Sequence, residues 1–168
     1  DWTLSRGLGD VYKRQWLGSQ TLVLAELLLA SHLEAFSQPL VAETPGKQSR
    51  LSRCQKLFRC GFPVLAHGTG DDPRLTYANA AALQLWETNW EALIGLPSRC
   101  TAPEEEQKER RSALGQAKRL EAMTGYCGIR VSRTGRRFMI RNARIWTLQD
   151  GERQICGQAA SFSDWHWI

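Results

Sequence analysis

The sequence predicts an α+β protein: a five-stranded antiparallel sheet with helices across one face, preceded by an N-terminal helix. Three observations carry this prediction. Two short apolar runs, at residues 62–66 and 75–78, come first, and helical patterns fill the middle of the chain. The last third then holds three strand-like runs, and the turns between them contain Thr-Gly and Asp-Gly, which are signals of β-hairpins.

Length and composition place the chain in the globular class. Its 168 residues are enough for one domain with a hydrophobic core. Hydrophobic residues make up 42% and charged residues 23%, proportions that exclude disorder along the whole length. The longest apolar run, residues 22–30, is interrupted by Glu26 and is too short to span a bilayer. The net charge of +5 is a mild excess that does not by itself imply a nucleic-acid partner.

The cysteines and histidines indicate neither a disulfide framework nor a metal site. Five cysteines are an odd number without a Cys-x-x-Cys pair, a usage that favours reduced thiols and a cytoplasmic protein. A zinc site requires grouped ligands, whereas the histidines lie far apart in the sequence. We therefore expect no metal. The residues concerned are Cys54, Cys60, Cys100, Cys127, Cys156, His32, His67 and His166.

The first part of the chain is predicted to precede the sheet domain. Residues 1–15 lack apolar periodicity and any helix signal, and we expect them to be a leader that is non-native or disordered. Residues 16–36 are predicted to form a helix, because apolar residues recur at helical spacing. Since apolar residues cover more than one stripe, this helix needs cover on more than one side. Either its own domain or a second copy of the chain, in a homodimer, provides that cover.

A row of basic residues follows as part of a linker that is predicted to extend to residue 61. These residues recur at every third position within residues 47–59, a spacing that drifts around a helix by about 60° per step. We interpret the row as a solvated surface. A contact with phosphate or with an acidic partner is the alternative.

Residues 62–168 are predicted to form the sheet domain, and its helices carry recognisable end signals. Asn79 is a natural N-cap for the helix after the second strand. Two capping boxes then open a short helix that Gly95 ends and a longer helix over residues 103–121. The capping boxes are Thr88 with Glu91 and Thr101 with Glu104.

Three strands are predicted in the last third of the chain, at residues 126–132, 136–148 and 153–163. Side chains alternate between the two faces of a strand, so every second residue of the middle strand shares a face. The set predicted to share one face is Phe138, Ile140, Asn142, Arg144 and Trp146.

Four strings of the sequence stand in a fixed order: YANAAALQLWE (77–87), LPSR (96–99), GIRVSRTGRRFMIRNARIW (128–146) and GQAASFSDW (157–165). In this order they resemble the MEKHLA domain family in its bacterial stand-alone form, which belongs to the PAS-like superfamily. With the leading helix they cover roughly residues 20–166, although the hexapeptide that names the family is absent. The resemblance implies a PAS-like fold and a sensory or regulatory role, through a small molecule or a protein partner.

The resemblance to PAS domains raises flavin and haem as cofactors, and the residues argue against both. Light-responsive flavin-binding PAS domains carry a reactive cysteine before an arginine, but here Ser98 precedes Arg99. Because Arg99 is similar to the phosphate-binding arginine, flavin binding without photochemistry stays a minor alternative. Haem-binding PAS domains usually use a histidine on the following helix, and no histidine occurs between His67 and His166. The sequence names no other cofactor.

No group of residues has the pattern of a catalytic site. Ser163, Asp164 and His166 lie together near the end of the chain, without a strained serine turn or an oxyanion motif. Adjacent residues on a strand point in opposite directions, so closeness in sequence does not make a triad. We therefore expect a protein that is not an enzyme.

A small-molecule cavity between the sheet and the crossing helices is the preferred hypothesis. Aromatic side chains would give it area, and amides and an arginine would give it direction. The candidate residues are Tyr77, Asn79, Trp86, Arg99, Phe138, Asn142, Trp146 and Gln158.

Each candidate also has a purely structural interpretation. Phe138 and Trp146 are typical core residues, Asn79 can be a cap alone, and Arg99 can hold its loop in place. The side-chain amides of Asn142 and Gln158 can bond to each other or to the backbone, because buried amides need hydrogen-bond partners.

Two other classes of function stay open. A protein-interaction or dimerisation module would have a filled interior and would use the leading helix with the aromatic tail at residues 165–168. A nucleic-acid-associated regulator would show strongly salt-dependent affinity. A polar-lined cavity near Asn142 and Gln158 favours sensing, whereas a solid core favours interaction only. The arginines available to nucleic acid are Arg50, Arg53, Arg130, Arg133, Arg136 and Arg137.

Overall fold

The computed structural model describes residues 18–168, so the predicted leader at residues 1–15 lies outside the described residues. The helices are α1 (Ser19–Phe36), α2 (Arg50–Arg59), α3 (Ala80–Leu85), α4 (Trp90–Leu93) and α5 (Gln107–Leu120), with short 3-10 turns at Ser98–Thr101 and Glu104–Glu106. The strands are β1 (Val64–His67), β2 (Leu75–Ala78), β3 (Ala122–Val131), β4 (Arg137–Gln149), β5 (Ile155–Ser161) and β6 (Asp164–Trp167).

The strands form one antiparallel sheet in the order β2-β1-β5-β4-β3. The predicted last strand, at residues 153–163, corresponds to β5, which pairs with residues 144–149 of β4. A further strand that was not predicted, β6, pairs with residues 138–141 of β4. The predicted α+β class is confirmed, and the sheet has this sixth strand in addition to the five that were predicted.

A β-bulge at Asn142 changes which side chains of β4 share a face. Tyr126 of β3 pairs with Ala143 of β4, and Gly128 of β3 pairs with Ile140 of β4. The paired positions are thus two residues apart on β3 but three residues apart on β4, so β4 contains one extra residue. Asn142 takes the extra position with a φ of 51°, in the left-handed region that asparagine tolerates better than most residues. The alternation therefore shifts by one residue within the strand.

The predicted shared face of β4 is consequently wrong beyond Ile140. Phe138 and Ile140 point toward the face that carries α3 to α5, which we call the inner face, and after the bulge Ile145 joins them. Asn142 is exposed. Arg144 and Trp146 point to the opposite, outer face, which α1 covers.

Helix α1 packs on the outer face through an aromatic contact with β4. The ring of His32 lies 4.9 Å from that of Trp146, edge to face, and both residues are fully buried. Arg144 Nη1 donates to His32 Nε2 at 3.3 Å, so the proton of the neutral ring is on Nδ1, which donates to Gln38 O at 2.9 Å. The chain's own sheet thus covers this side of α1, whereas Val23 and Leu33 are exposed.

We expect the protein to lose stability as the pH falls through 6.5, the ordinary pKa of histidine. Burial lowers the pKa of His32 below 6.5, and the charge of Arg144 adds to this effect, although the bond to the Gln38 carbonyl opposes it. The unfolded chain then binds more protons than the folded chain. The contribution of neutral His32 to the free energy of unfolding is therefore fully present above the unfolded-state pKa of 6.5, and it is lost as the pH falls toward the lower folded-state pKa.

Urea denaturation of a His32→Gln variant across this pH range measures the effect. We expect a flatter pH dependence than in the wild type, whereas His166→Gln, at an exposed position of β6, should keep the wild-type slope. Equal slopes in all three proteins would contradict the account. His67, whose pKa burial also lowers, contributes a residual slope of the same sign.

The predicted basic linker contains a helix, α2, and the row of basic residues stays on its surface, as the interpretation of that row predicts. Ser49 caps it by accepting a bond from Ser52 N, and Cys54, Leu57 and Phe58 are buried. These apolar positions share a face at helical spacing, and the basic residues occupy the remaining surface. Arg53 forms a salt bridge of 2.6 Å with Glu26 of α1.

The end signals of the helices are confirmed in part. Asn79 caps α3, and Gly95 has a φ of 93° after the short α4. The capping boxes are wrong: Asn89 caps α4 in place of Thr88, because its side chain reaches Ala92 N at 2.9 Å. Thr101 Oγ1 donates to Ser98 O instead of capping a helix, and α5 begins at Gln107 after a 3-10 turn.

Candidate functional site

A narrow cavity of about 50 Å³ lies between α5 and the inner face of the sheet. Most of its wall is apolar. A cavity of this size holds roughly three to five water molecules or a similar number of ligand atoms. The apolar lining residues are Leu65, Ala66, Leu75, Trp86, Leu114, Ile140, Ala143, Ile145, Ala159, Ala160 and Phe162.

Strand β3 contributes a buried arginine to this cavity. Arg130 is 7% exposed, and its guanidinium donates to Ile129 O at 2.8 Å and to the Tyr126 hydroxyl at 3.1 Å. Gly128 lies between the two side chains on the same face, and a Cβ there would stand 2.6 Å from the Tyr126 hydroxyl oxygen. The glycine therefore gives the tyrosine–arginine pair room to lie flat on the strand.

Helix α5 contributes a second arginine, Arg110, to the same cavity. Burial lowers the pKa of its guanidinium to about 9, and the like charge of Arg130 adds to this shift. Within residues 18–168 neither arginine lies within salt-bridge distance of a carboxylate. The cavity thus holds two positive charges, and its lining contains no acidic residue.

Other buried polar atoms at the cavity also have spare bonding capacity. His67 Nε2 and Trp86 Nε1 have no hydrogen-bond partner among the described residues, although His67 Nδ1 bonds to Gly68 O at 2.8 Å. Burial lowers the pKa of His67, so its ring is neutral at neutral pH. Buried polar groups without partners are uncommon in folded proteins and point to a water or a ligand.

An open groove of about 690 Å³ adjoins the cavity, between α5 and the loop at residues 68–73. His67, Arg110, Leu114 and Gln158 line both spaces, and Gln158 Nε2 donates to Leu114 O at 2.9 Å between them. The groove is mainly basic. Its positively charged residues are Arg99, Lys108, Arg110, Arg111 and Lys118, and its negatively charged residues are Asp71 and Asp72.

Of the predicted cavity residues, the structure brings Trp86 and Gln158 together at the cavity. Arg99 lines the outer groove and pairs with Asp72 at 3.1 Å. Phe138 does not line the cavity but packs edge to face on Trp86, with ring centres 4.9 Å apart. Both belong to an aromatic cluster, which we call the tail cluster: Trp86, Phe138, Phe162, Trp165 and Trp167.

The other predicted cavity residues lie elsewhere. Trp146 is on the outer face, and Asn142 is exposed at the bulge. Tyr77 is buried with its ring 5.7 Å from that of Trp90, and its hydroxyl has no hydrogen-bond partner among the described residues. Asn79 is fully buried and bonds to backbone groups of three different segments.

Sequence reasoning missed Arg110, Arg130 and Tyr126 as cavity residues. The sequence did carry a signal for them. Tyr126 and Arg130 lie four residues apart on a predicted strand, so they share a face. Arg110 precedes Leu114 by one helical turn and therefore extends the apolar stripe of its helix. A charged residue on an otherwise buried face is a candidate for a specific site.

The arginines that the sequence offers as a nucleic-acid surface lie in different surroundings. Arg130 is buried at the cavity, whereas Arg53, Arg136 and Arg137 each form a salt bridge with a glutamate. Arg136 also lies over the ring of Trp167, 3.7 Å from its centre.

The sheet order and the helices on its inner face define a PAS-like fold. The chain belongs to the MEKHLA domain family, whose model matches residues 22–167. No curated protein sequence shows significant similarity to this chain. No helix within residues 18–168 is long and apolar enough to cross a membrane, and the same residues contain no cluster of metal-ligating side chains.

Solved structures with the same fold are PAS and light-oxygen-voltage domains. An RNA-binding light-oxygen-voltage receptor is similar over 74% of this chain, with a TM-score of 0.60 and 16% identity, but the match spans only 37% of the receptor. A PAS domain from Colwellia psychrerythraea has a TM-score of 0.60 at 15% identity, over 69% of this chain and 97% of that domain. A light-oxygen-voltage domain studied with a flavin analogue has a TM-score of 0.55 at 15% identity, over 70% of this chain and 84% of that domain.

The residues at the cavity do not fit flavin or haem. Either ring system needs a pocket of several hundred Å³, whereas the cavity measures about 50 Å³. Ser98 stands where light-responsive domains carry the reactive cysteine, and Arg99 is engaged with Asp72. We therefore derive no chemistry from either group.

Proposed function

We propose that this chain is a non-catalytic sensory module that binds a small molecule in the cavity beneath α5. The observation that carries the proposal is the combination of apolar walls with buried polar groups that have bonding capacity to spare, above all Arg130 and His67 Nε2. Ligand pockets have this character, with many apolar contacts and a few polar groups that fix orientation. An interaction module with a filled core would not need buried polar groups with spare hydrogen-bonding capacity.

The arrangement around the cavity supplies a route for a signal. Gln158 of β5 holds the backbone of α5 through Leu114 O, and both residues separate the cavity from the groove. A ligand that enters from the groove displaces this bond and moves α5 relative to the sheet. Residues 62–168 form the sensory domain in this proposal, and α1 covers its outer face.

A cavity-filling variant tests the proposal. Ala143 is fully buried and lines the cavity, so Ala143→Val adds two carbons to the space that a ligand would occupy. For a ligand at 100 times its Kd we expect the wild-type melting temperature to rise by about 5–10 °C. The rise should be lost in Ala143→Val, and differential scanning fluorimetry with a panel of small molecules measures it.

The matched control is Ala25→Val, which adds the same two carbons at a buried position of α1 on the outer face. This variant should keep the full ligand-induced rise. An equal response of the two variants would show that the ligand binds outside the cavity. A wild-type protein whose melting temperature responds to no member of a broad panel would favour the interaction module.

A further inference from the structure

The two arginines that line the cavity have no carboxylate partner among the described residues; Arg130 is buried, and Arg110 is half-buried. Within the same residues, the hydrogen-bond partners of Arg130 are neutral groups, the Ile129 carbonyl and the Tyr126 hydroxyl. A guanidinium carries five N–H donors, so these bonds leave further donors of Arg130 available. Proteins seldom bury a charge without an opposite charge, because removal of an ion from water is costly.

The nearby acidic residues do not supply the missing charge. Asp71 and Asp72 line the outer groove but not the cavity, and Asp72 is paired with Arg99. Instead, a second cationic group, Arg110, lines the same cavity, and the charges of the two arginines repel. Two like charges converge here at a site from which protein carboxylates are absent within the described residues.

We infer that the ligand of this cavity is a small organic monocarboxylate, whose carboxylate binds between Arg110 and Arg130 and whose apolar tail packs against the sheet. The inference rests on the proposed function and specifies its ligand class. Guanidinium and carboxylate match in a planar, two-bond geometry. Inorganic phosphate lacks an apolar tail that the apolar wall, which includes Ile140 and Ile145, would cover.

The size of the cavity limits the ligand. Space for roughly three to five atoms suits a carboxylate with a short aliphatic chain, such as propionate. The same limit makes affinity modest, because the free energy available to a ligand of so few atoms is small. Tyr126, which bonds to Arg130, would hold that arginine in place for the ligand.

Isothermal titration calorimetry on the full chain tests the inference with three probes: propionate, its neutral analogue propionamide, and inorganic phosphate. We expect propionate to bind and propionamide to bind far more weakly. Arg110→Gln should raise the Kd for propionate about 10- to 100-fold, the loss expected for a charged hydrogen-bonding partner. Arg110→Lys keeps the positive charge but lacks the planar guanidinium that binds a carboxylate through two bonds. Its Kd for propionate should therefore lie between those of the wild type and Arg110→Gln.

The matched control is Arg111→Gln, which removes the same charge from the next residue of α5, an exposed position that lines the groove only. Its Kd for propionate should change less than about twofold, since screening weakens an exposed charge. Equal losses in Arg110→Gln and Arg111→Gln, or binding of phosphate with loss in Arg111→Gln only, would overturn the inference in favour of general anion binding in the groove.

The outcome with the neutral probe separates the inference from the proposed function. If propionamide binds as tightly as propionate and Ala143→Val abolishes both, the cavity is a ligand site and the carboxylate inference fails alone. If neither probe binds and no other small molecule does, the inference fails together with the proposed function. A far-UV circular dichroism spectrum identical to that of the wild type shows that each variant is folded.

Discussion

Replacement of Asn79 by alanine is expected to lower the free energy of unfolding by about 3–5 kcal/mol. Asn79 Oδ1 accepts from Val64 N at 2.9 Å and from Ala82 N at 3.1 Å, and its Nδ2 donates to Phe62 O at 2.8 Å. The side chain is fully buried, so alanine would leave these backbone groups unsatisfied away from water. One amide thus joins the start of β1, the start of α3 and the end of the α2 segment.

The control is the same substitution at Asn89, which also caps a helix but is exposed and accepts a single bond, from Ala92 N. Loss of an exposed cap costs about 1 kcal/mol, because water replaces the lost acceptor. Urea denaturation of both variants measures the difference. Similar losses at the two positions would show that Asn79 acts as a helix cap alone.

Replacement of Trp146 by alanine is expected to cost about 3–5 kcal/mol and to loosen α1 from the sheet. The tryptophan is fully buried on the outer face, and its ring packs edge to face against His32 at 4.9 Å and Phe36 at 6.1 Å. Hydrogen exchange of the α1 amides should rise in the variant, because the helix loses the side chain on which its last two turns rest.

Two comparisons isolate this effect. Trp146→Phe keeps an aromatic ring and removes Nε1, which has no hydrogen-bond partner among the described residues, so it should cost less than Trp146→Ala. Trp165→Ala acts on the inner face, in the tail cluster, and should leave the exchange of α1 unchanged. Faster α1 exchange in Trp165→Ala, or unchanged exchange in Trp146→Ala, would contradict the packing described here.

Much of the fold follows from the sequence because local signals and the final structure agree. The strand at residues 75–78 and the cap at Asn79 lie where the pattern predicts them, and the two hairpin turns separate β3, β4 and β5. The bulge at Asn142 could not be predicted from β4 alone. Its left-handed backbone depends on the register with β3, which is a property of the assembled sheet.

The bulge also explains why only part of the candidate site could be predicted. A strict period of two places Trp146 on the same face as Ile140, whereas the extra residue moves it to the outer face, beneath α1. Trp86 and Gln158 needed no such correction and line the cavity. The sequence offers Arg130 as one of several arginines available to nucleic acid, and its burial becomes visible only when β3 is paired with β4.

The two faces of the sheet have different roles in this account. On the outer face, α1 is fixed by buried aromatic packing around Trp146 and by the hydrogen bonds of His32. On the inner face, α5 covers a cavity that Arg110 and Arg130 line, and Gln158 of β5 donates to Leu114 O of this helix. In the proposed function, α5 is the element that a ligand displaces.

Methyl NMR of the full chain, labelled at isoleucine δ1 carbons, tests the central claim most directly. Ile140 and Ile145 line the cavity, Ile155 lines the groove, and Ile94 and Ile168 lie outside both. On titration with propionate or propionamide, the account predicts saturable shifts of the Ile140 and Ile145 methyls, with Ile94 and Ile168 unchanged. Shifts confined to Ile155, or a bound ligand that leaves Ile140 and Ile145 unmoved, would contradict it.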